Sequence, residues 1–176
     1  YGIFMYHPVT TEVEELADHI HQVVEALLQS GENYIVVYPN NDNGTEIVLN
    51  EIGRLYGNKH FRIFPSIRFE YFLTFLKNAS VIVGNSSAGI RESGIYGIPA
   101  IDIGSRQQGR YDKEQLKNIQ HAEENVPDIL DKLSRIREHR IRAEGFGGGN
   151  STELFFDVLD RQDIWNLDVQ KTFVDI

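Results

Sequence analysis

The stretch Val81-Ile82-Val83-Gly84-Asn85-Ser86-Ser87-Ala88-Gly89 decides the fold. Three apolar residues end on a glycine and give way to small polar residues before a helix-period segment. That is the pattern of a strand buried on both faces that turns directly into a helix. Gly84 permits a tight turn, the serines add hydroxyls, and the free N–H groups opening the helix point at whatever lies above the sheet. Taken alone, the segment suits an ordinary cap by Asn85 or Ser86 as well as it suits an anion site. It is not a Walker loop, since no Gly-Lys-Ser/Thr follows, nor the Gly-x-Gly-x-x-Gly dinucleotide fingerprint.

Outward from this stretch, Gly2–Tyr6, Tyr34–Tyr38, Phe61–Phe64 and Ala100–Ile103 read as further buried strands bounded by Gly, Pro, Asn or His. Between the first two, Val13, Leu16, Ile20, Val23, Val24, Leu27 and Leu28 fall at helical spacing. A capping box at Thr11-x-x-Glu14 is expected to open that helix and Gly31 to close it. Weaker helical segments are predicted over 45–56, 69–78, 88–96, 126–140 and 152–160. Strands separated by helices leave room only for right-handed crossovers, so the sheet should be parallel and doubly wound, a Rossmann-like α/β unit. One domain over residues 1–160 is expected, followed by a tail over 161–176. The loop Gly145-Phe146-Gly147-Gly148-Gly149-Asn150 reads as a turn or hinge, and the tail, with Trp165, Leu167 and Phe173, is expected to pack on another part of the protein.

The composition narrows the function. The chain has 176 residues, 41% of them hydrophobic, enough for one ordinary core. Seventeen Lys and Arg against 26 Asp and Glu give a formal charge of −9, which argues against a nucleic-acid partner. A single nucleotide is still compatible, because backbone amides can hold a small anion. A mean hydropathy of −0.33 argues against a membrane partner, and no apolar run approaches the length of a span. The chain has no cysteine, which is compatible with the cytoplasm. It opens inside an apolar run, Tyr1-Gly2-Ile3-Phe4-Met5-Tyr6, and is read as a fragment cut at a domain boundary.

In open parallel sheets ligands bind at the carboxyl ends of the strands. His7 follows the first strand, where an imidazole can donate to a phosphate, titrate near neutrality or simply cap. Asn40 is the first polar side chain after the second strand, in a run otherwise explained by turn chemistry. Glu92, about one and a half turns into the helix after Ser87, could accept both hydrogen bonds of a ribose diol. Gly104-Ser105-Arg106-Gln107-Gln108-Gly109-Arg110 places two arginines beside the same edge, and arginine matches phosphate geometry. Arg91 reads as a surface charge. No metal-ligand pattern is seen: His19 and His21 diverge on a helix and read as surface residues, and His60, His121 and His139 lack partners at ligand spacing. No Gly-x-Ser-x-Gly elbow is present.

Together, His7-Pro8-Val9-Thr10, Pro39-Asn40, Gly84-Asn85-Ser86-Ser87 with Gly89 and Arg91-Glu92, Gly97-x-Pro99, and Gly104-x-Arg106-Gln107-x-Gly109-Arg110 resemble the C-terminal domain of the UDP-N-acetylglucosamine 2-epimerases over residues 1–160. The hydrolysing branch, which feeds sialic-acid and related nonulosonate synthesis, is the closer match. Non-hydrolysing relatives carry His-Arg-Arg-Glu-Asn where this chain has His7-Pro8-Val9-Thr10-Thr11-Glu12. Gly145–Gly149 looks like the family's Gly-Asp-Gly turn without its Asp.

The resemblance implies the C-terminal half of a glycosyltransferase-B-like enzyme, with UDP held between two Rossmann domains. No cofactor is implied. His7 would contact the diphosphate and assist the leaving group, Asn40 and Ser66 would line the nucleotide pocket, Ser86 and Ser87 would hold the diphosphate, Glu92 the ribose, and Arg106 would lie beside the diphosphate. UDP would be eliminated across C1 and C2 and water added to release N-acetylmannosamine. The base is expected from the N-terminal domain, so this chain alone should turn nothing over. A UDP-sugar substrate, the N-terminal Rossmann domain and a homo-oligomer are the implied partners. A nucleotide-sugar glycosyltransferase of the same fold, a non-hydrolysing epimerase and a non-enzymatic α/β module are the alternatives.

Overall fold

The computed structural model describes residues 1–143 and 145–167. It divides into two compact units, Tyr1–Gly145 and a second that begins at Phe146.

The first unit is a six-stranded sheet: β1 (Gly2–Met5), β2 (Tyr34–Val37), β3 (Phe61–Phe64), β4 (Val81–Gly84), β5 (Ala100–Ile103) and β6 (Ile119–Ala122). All neighbours are parallel, in the order β3-β2-β1-β4-β5-β6. The fold is therefore a Rossmann-like, doubly wound α/β unit. Each central strand divides its side chains between two cores. Phe4, Val36, Val83 and Ile101 join one, against α1 (Leu16–Ser30), α2 (Thr45–Ile52) and α6 (Val126–Ser134). Ile3, Ile35, Ile82 and Ala100 join the other, with Phe72 and Leu76 of α3 (Phe69–Asn78) and Ile90 of α4 (Ala88–Arg91). Burial on both faces explains why the strands read as continuous apolar runs.

Several elements depart from expectation. Strand β6 was not anticipated, because Ile-Gln-His-Ala is half polar; it pairs only with β5, and its edge position tolerates polar side chains. No capping box opens α1. The helix begins at Leu16 with Glu15 as N-cap and no side-chain cap, because the chain before it turns on a Glu12 N–H to Val9 C=O bond of 2.9 Å. Gly31 closes the helix in the left-handed region, as anticipated. The helix predicted over 88–96 divides into α4 and α5 (Ser93–Tyr96), with Ser93 Oγ donating to the Gly89 carbonyl at 2.6 Å. Such back-bonding competes with the helical ladder and bends it. The segments predicted over 45–56 and 126–140 end in short 3₁₀ turns, Gly53–Leu55 and Ile136–His139.

The second unit holds α7 (Ser151–Leu159) and α8 (Gln162–Trp165). No residue of α7 is buried, and Leu154, Phe155, Phe156, Trp165 and Leu167 are exposed. Phe173 and the rest of 168–176 lie outside the described residues. Among the described residues no helix is long and apolar enough to cross a membrane.

Candidate functional site

The chain winds one way from β1 and the other way from β4, so a crevice opens between the carboxyl ends of these two strands. Met5 pairs with Gly84 across the crevice. Gly84 has φ of 129°, and a Cβ there would lie 2.0 Å from the Met5 carbonyl oxygen, so only glycine fits.

The next residue, fully buried Asn85, ties the rim together. Its N–H donates to the Met5 carbonyl at 3.2 Å. Its side chain accepts from the His7 N–H at 2.7 Å and donates to the His7 carbonyl at 2.8 Å. Its own carbonyl accepts from Arg106 Nη1 at 3.2 Å and Gln107 Nε2 at 2.8 Å. One amide thus locks the segments after β1, β4 and β5. Sequence reasoning saw in Asn85 only a helix cap. The structure gives the N-cap position to Ser87, with no side-chain cap; Ser86 Oγ accepts from the Ala88 N–H at 3.3 Å.

The Asn40 N–H donates to His7 Nδ1 at 3.1 Å. That bond leaves Nδ1 as an acceptor, so the neutral ring carries its proton on Nε2. Burial, reinforced by the Arg106 guanidinium, lowers the His7 pKa to about 4. Asn40 therefore orients the imidazole through its backbone. Its Nδ2 bonds Asp42, and its buried Oδ1 has no partner among the described residues.

Ser86 and Ser87 follow. Their N–H groups donate no hydrogen bond to the described residues, which leaves both to an incoming acceptor. With Glu92, Met5, Val37 and Phe72 the two serines line a cavity of about 240 Å³. Glu92 Oε2 is buried and without a partner among the described residues, and burial raises the carboxyl pKa. An orphaned acceptor in a cleft is an invitation to a donor-bearing ligand such as a diol. Ile67 lines the same cavity, whereas Ser66 is exposed and is not among its lining residues.

A neighbouring cavity of about 290 Å³ shares Ser87 and is lined by Ile90, Arg91, Gln107 and Arg110. Arg91, which reads from sequence as a surface charge, thus borders the rim. Arg106 is half-buried, and burial and Arg110 both lower its pKa, although a guanidinium stays charged throughout.

Two clusters escaped sequence reasoning because their members are far apart along the chain. His19 pairs with Glu124 at 3.1 Å, and Glu12, His19 and Glu124 hold three possible ligand atoms within 4.8 Å of one another. The expected surface role of His19 is thereby corrected. His121 lies 3.8 Å from buried Asp102, which also accepts from Tyr111 OH at 3.0 Å. A cavity of about 880 Å³ lies at the opposite edge of the sheet beside Gly2, Tyr34 and Val81. It is larger than either crevice cavity, yet none of its lining side chains is among the buried, unpartnered polar groups of the described residues.

Fold and rim define the class: a Rossmann-like half of a glycosyltransferase-B-like architecture, with its polar groups at the topological switch point. A family model described as UDP-N-acetylglucosamine 2-epimerase matches residues 1–160. A UDP-N-acetylglucosamine 2-epimerase of Neisseria meningitidis serogroup B is 43% identical over 100% of this chain and 47% of its own length. A hydrolysing UDP-N,N'-diacetylbacillosamine 2-epimerase of Legionella pneumophila is 27% identical over 89% of this chain and 41% of its own length. The Methanocaldococcus jannaschii UDP-GlcNAc 2-epimerase solved with UDP-GlcNAc and UDP superposes with a TM-score of 0.74 at 19% identity, over 90% of this chain and 44% of that one. The chain belongs to the UDP-N-acetylglucosamine 2-epimerase family and spans about half the length of these relatives.

Proposed function

We propose that this chain is the UDP-binding half of a hydrolysing UDP-N-acetylglucosamine 2-epimerase, acting in the cytoplasm as a homo-oligomer and releasing UDP and N-acetylmannosamine. The observation that carries the reading is the unpartnered Glu92 Oε2 in the cavity shared with Ser86 and Ser87. The carboxylate takes the ribose diol, and the free Ser86 and Ser87 amides together with the Ser87 hydroxyl take the diphosphate, joined by Arg106 and by the Nε2–H of His7. Asn40 sets the imidazole, and Ile67 rather than exposed Ser66 borders the nucleotide. The exposed apolar residues of α7 and the segment after it support packing of the 161–176 tail on an N-terminal Rossmann domain.

In the proposed reaction a base takes the C2 proton of the sugar while the C1–O bond to UDP breaks, giving a glycal. The electron pair leaves on the diphosphate, where the His7 hydrogen bond and the Arg106 charge stabilise it. Water then adds its hydroxyl to C1 and a proton returns to C2 on the other face. Among the described residues of the rim no carboxylate is placed as that base, so it belongs to the N-terminal half.

The test is product analysis of the full-length protein with UDP-N-acetylglucosamine in D₂O. Free N-acetylmannosamine carrying one deuterium at C2, with equimolar UDP, is expected. Accumulation of a UDP-linked 2-epimer without free sugar would assign the non-hydrolysing reaction, and sugar transfer to an added acceptor would assign a glycosyltransferase.

A further inference from the structure

The geometry points to Glu12 as a positioning residue that holds the Arg106 loop against the His7 loop through the hydroxyl of Ser105. Glu12 lies five residues after His7, and its Oε1 accepts from Ser105 Oγ across 93 positions of sequence. Ser105 directly precedes Arg106, whose Nη1 reaches the Asn85 carbonyl. This one bond therefore joins the two segments that converge on Asn85.

A platform lies behind it. Gly104 sits with φ of 72° over the Glu124 carboxylate, so closely that a Cβ would fall 2.5 Å from Oε1. The Gly104 N–H donates to the Ala122 carbonyl at 2.9 Å. Glu124 accepts from Tyr6 OH at the end of β1 and pairs with His19 of α1 at 3.1 Å. Glu12 closes the group, its ligand atom within 4.8 Å of those of His19 and Glu124. The loop thus enters the rim from a seat fixed to β1 and α1, the elements on either side of His7. Residues Gln108 to Arg110 are exposed, so Arg106 is held between the seat on one side and buried Gln107, bonded to the Asn85 carbonyl at 2.8 Å, on the other.

The inference rests on the nucleotide reading only for what Arg106 meets; the brace itself is testable without ligand. In the full-length protein, hydrogen exchange of amides 105–109 is measured without nucleotide, and UDP affinity by calorimetry, for wild type, Glu12→Ala, Glu12→Gln, Ser105→Ala and the double alanine variant. Glu12→Ala and Ser105→Ala should each speed exchange in the loop and weaken UDP binding about five- to tenfold, the net worth of one ordinary hydrogen bond passed on to the site. The double variant should be no worse than either single one. Glu12→Gln, which keeps an acceptor, should stay within about twofold of wild type. Unchanged exchange in Glu12→Ala, or additive losses in the double variant, would overturn the brace. Should Glu12→Ala fail to fold, Ser105→Ala carries the same test, because it removes only a loop hydroxyl. Faster exchange with no UDP binding by any variant, wild type included, would leave the brace standing and remove the nucleotide reading.

Discussion

Burial shifts the titration of two side chains on the rim. His7 is held neutral, with a pKa of about 4 against 6.5 in the open. An imidazole depressed in this way binds fewer protons folded than unfolded between those values. Stability is therefore full above pH 6.5 and falls as the pH drops from there toward 4. A denaturation series should show this acid-side loss, with a smaller loss in His7→Gln. NMR titration should find the His7 ring neutral to about pH 4 and its midpoint raised by added UDP, whose charge favours the protonated ring. Glu92 is the mirror case, since burial raises its carboxyl pKa. The group opposes folding when charged, so Glu92→Gln should raise Tm at pH 7 by a few degrees while weakening UDP binding about tenfold. A fall in both Tm and affinity would mean that Glu92 holds the fold rather than a ligand. Glu92 was legible from its distance along the helix past Ser87. The state of His7 was not, because it is set by burial in the folded rim and by Arg106, 99 positions away.

The turn from β4 into α4 carries most of the geometry. Gly84→Ala would force a left-handed φ on a residue with a Cβ and drive that atom into the Met5 carbonyl. Strain alone costs about 3 kcal/mol, and the clash would also part β1 from β4. Chemical denaturation should show at least this loss together with the loss of UDP binding. A variant as stable as wild type would contradict the role given to the turn. Apolar runs made β1, β2, β4 and β5 legible because burial on both faces leaves no alternation to misread; β3, also expected to be buried, is an edge strand with Arg62 and Phe64 exposed. Strand β6 and the split between α4 and α5 were not legible, since one depends on pairing with β5 and the other on the Ser93 back-bond to Gly89. The capping box failed for a similar reason: the chain around Glu12 turns on Val9, and its carboxylate is bonded to Ser105 across the rim.

Across the first unit, the strand order brings together at one crevice residues that the sequence scatters from His7 to Arg110. The parallel fold and the strand-end location of the site were legible, because crossover handedness and the switch-point rule leave few choices. The part played by Asn85 was not, since nothing local separates an asparagine that caps a helix from one that clamps a distant backbone. The second unit, with its exposed aromatic residues, fits a chain that spans 47% of its Neisseria relative. Isothermal titration calorimetry of the full-length protein with UDP, comparing wild type with Ser87→Ala and Glu92→Gln, tests the crevice most directly. Saturable binding of one UDP per chain, weakened about tenfold by each substitution, is the predicted result; UDP affinity left unchanged by both would contradict it.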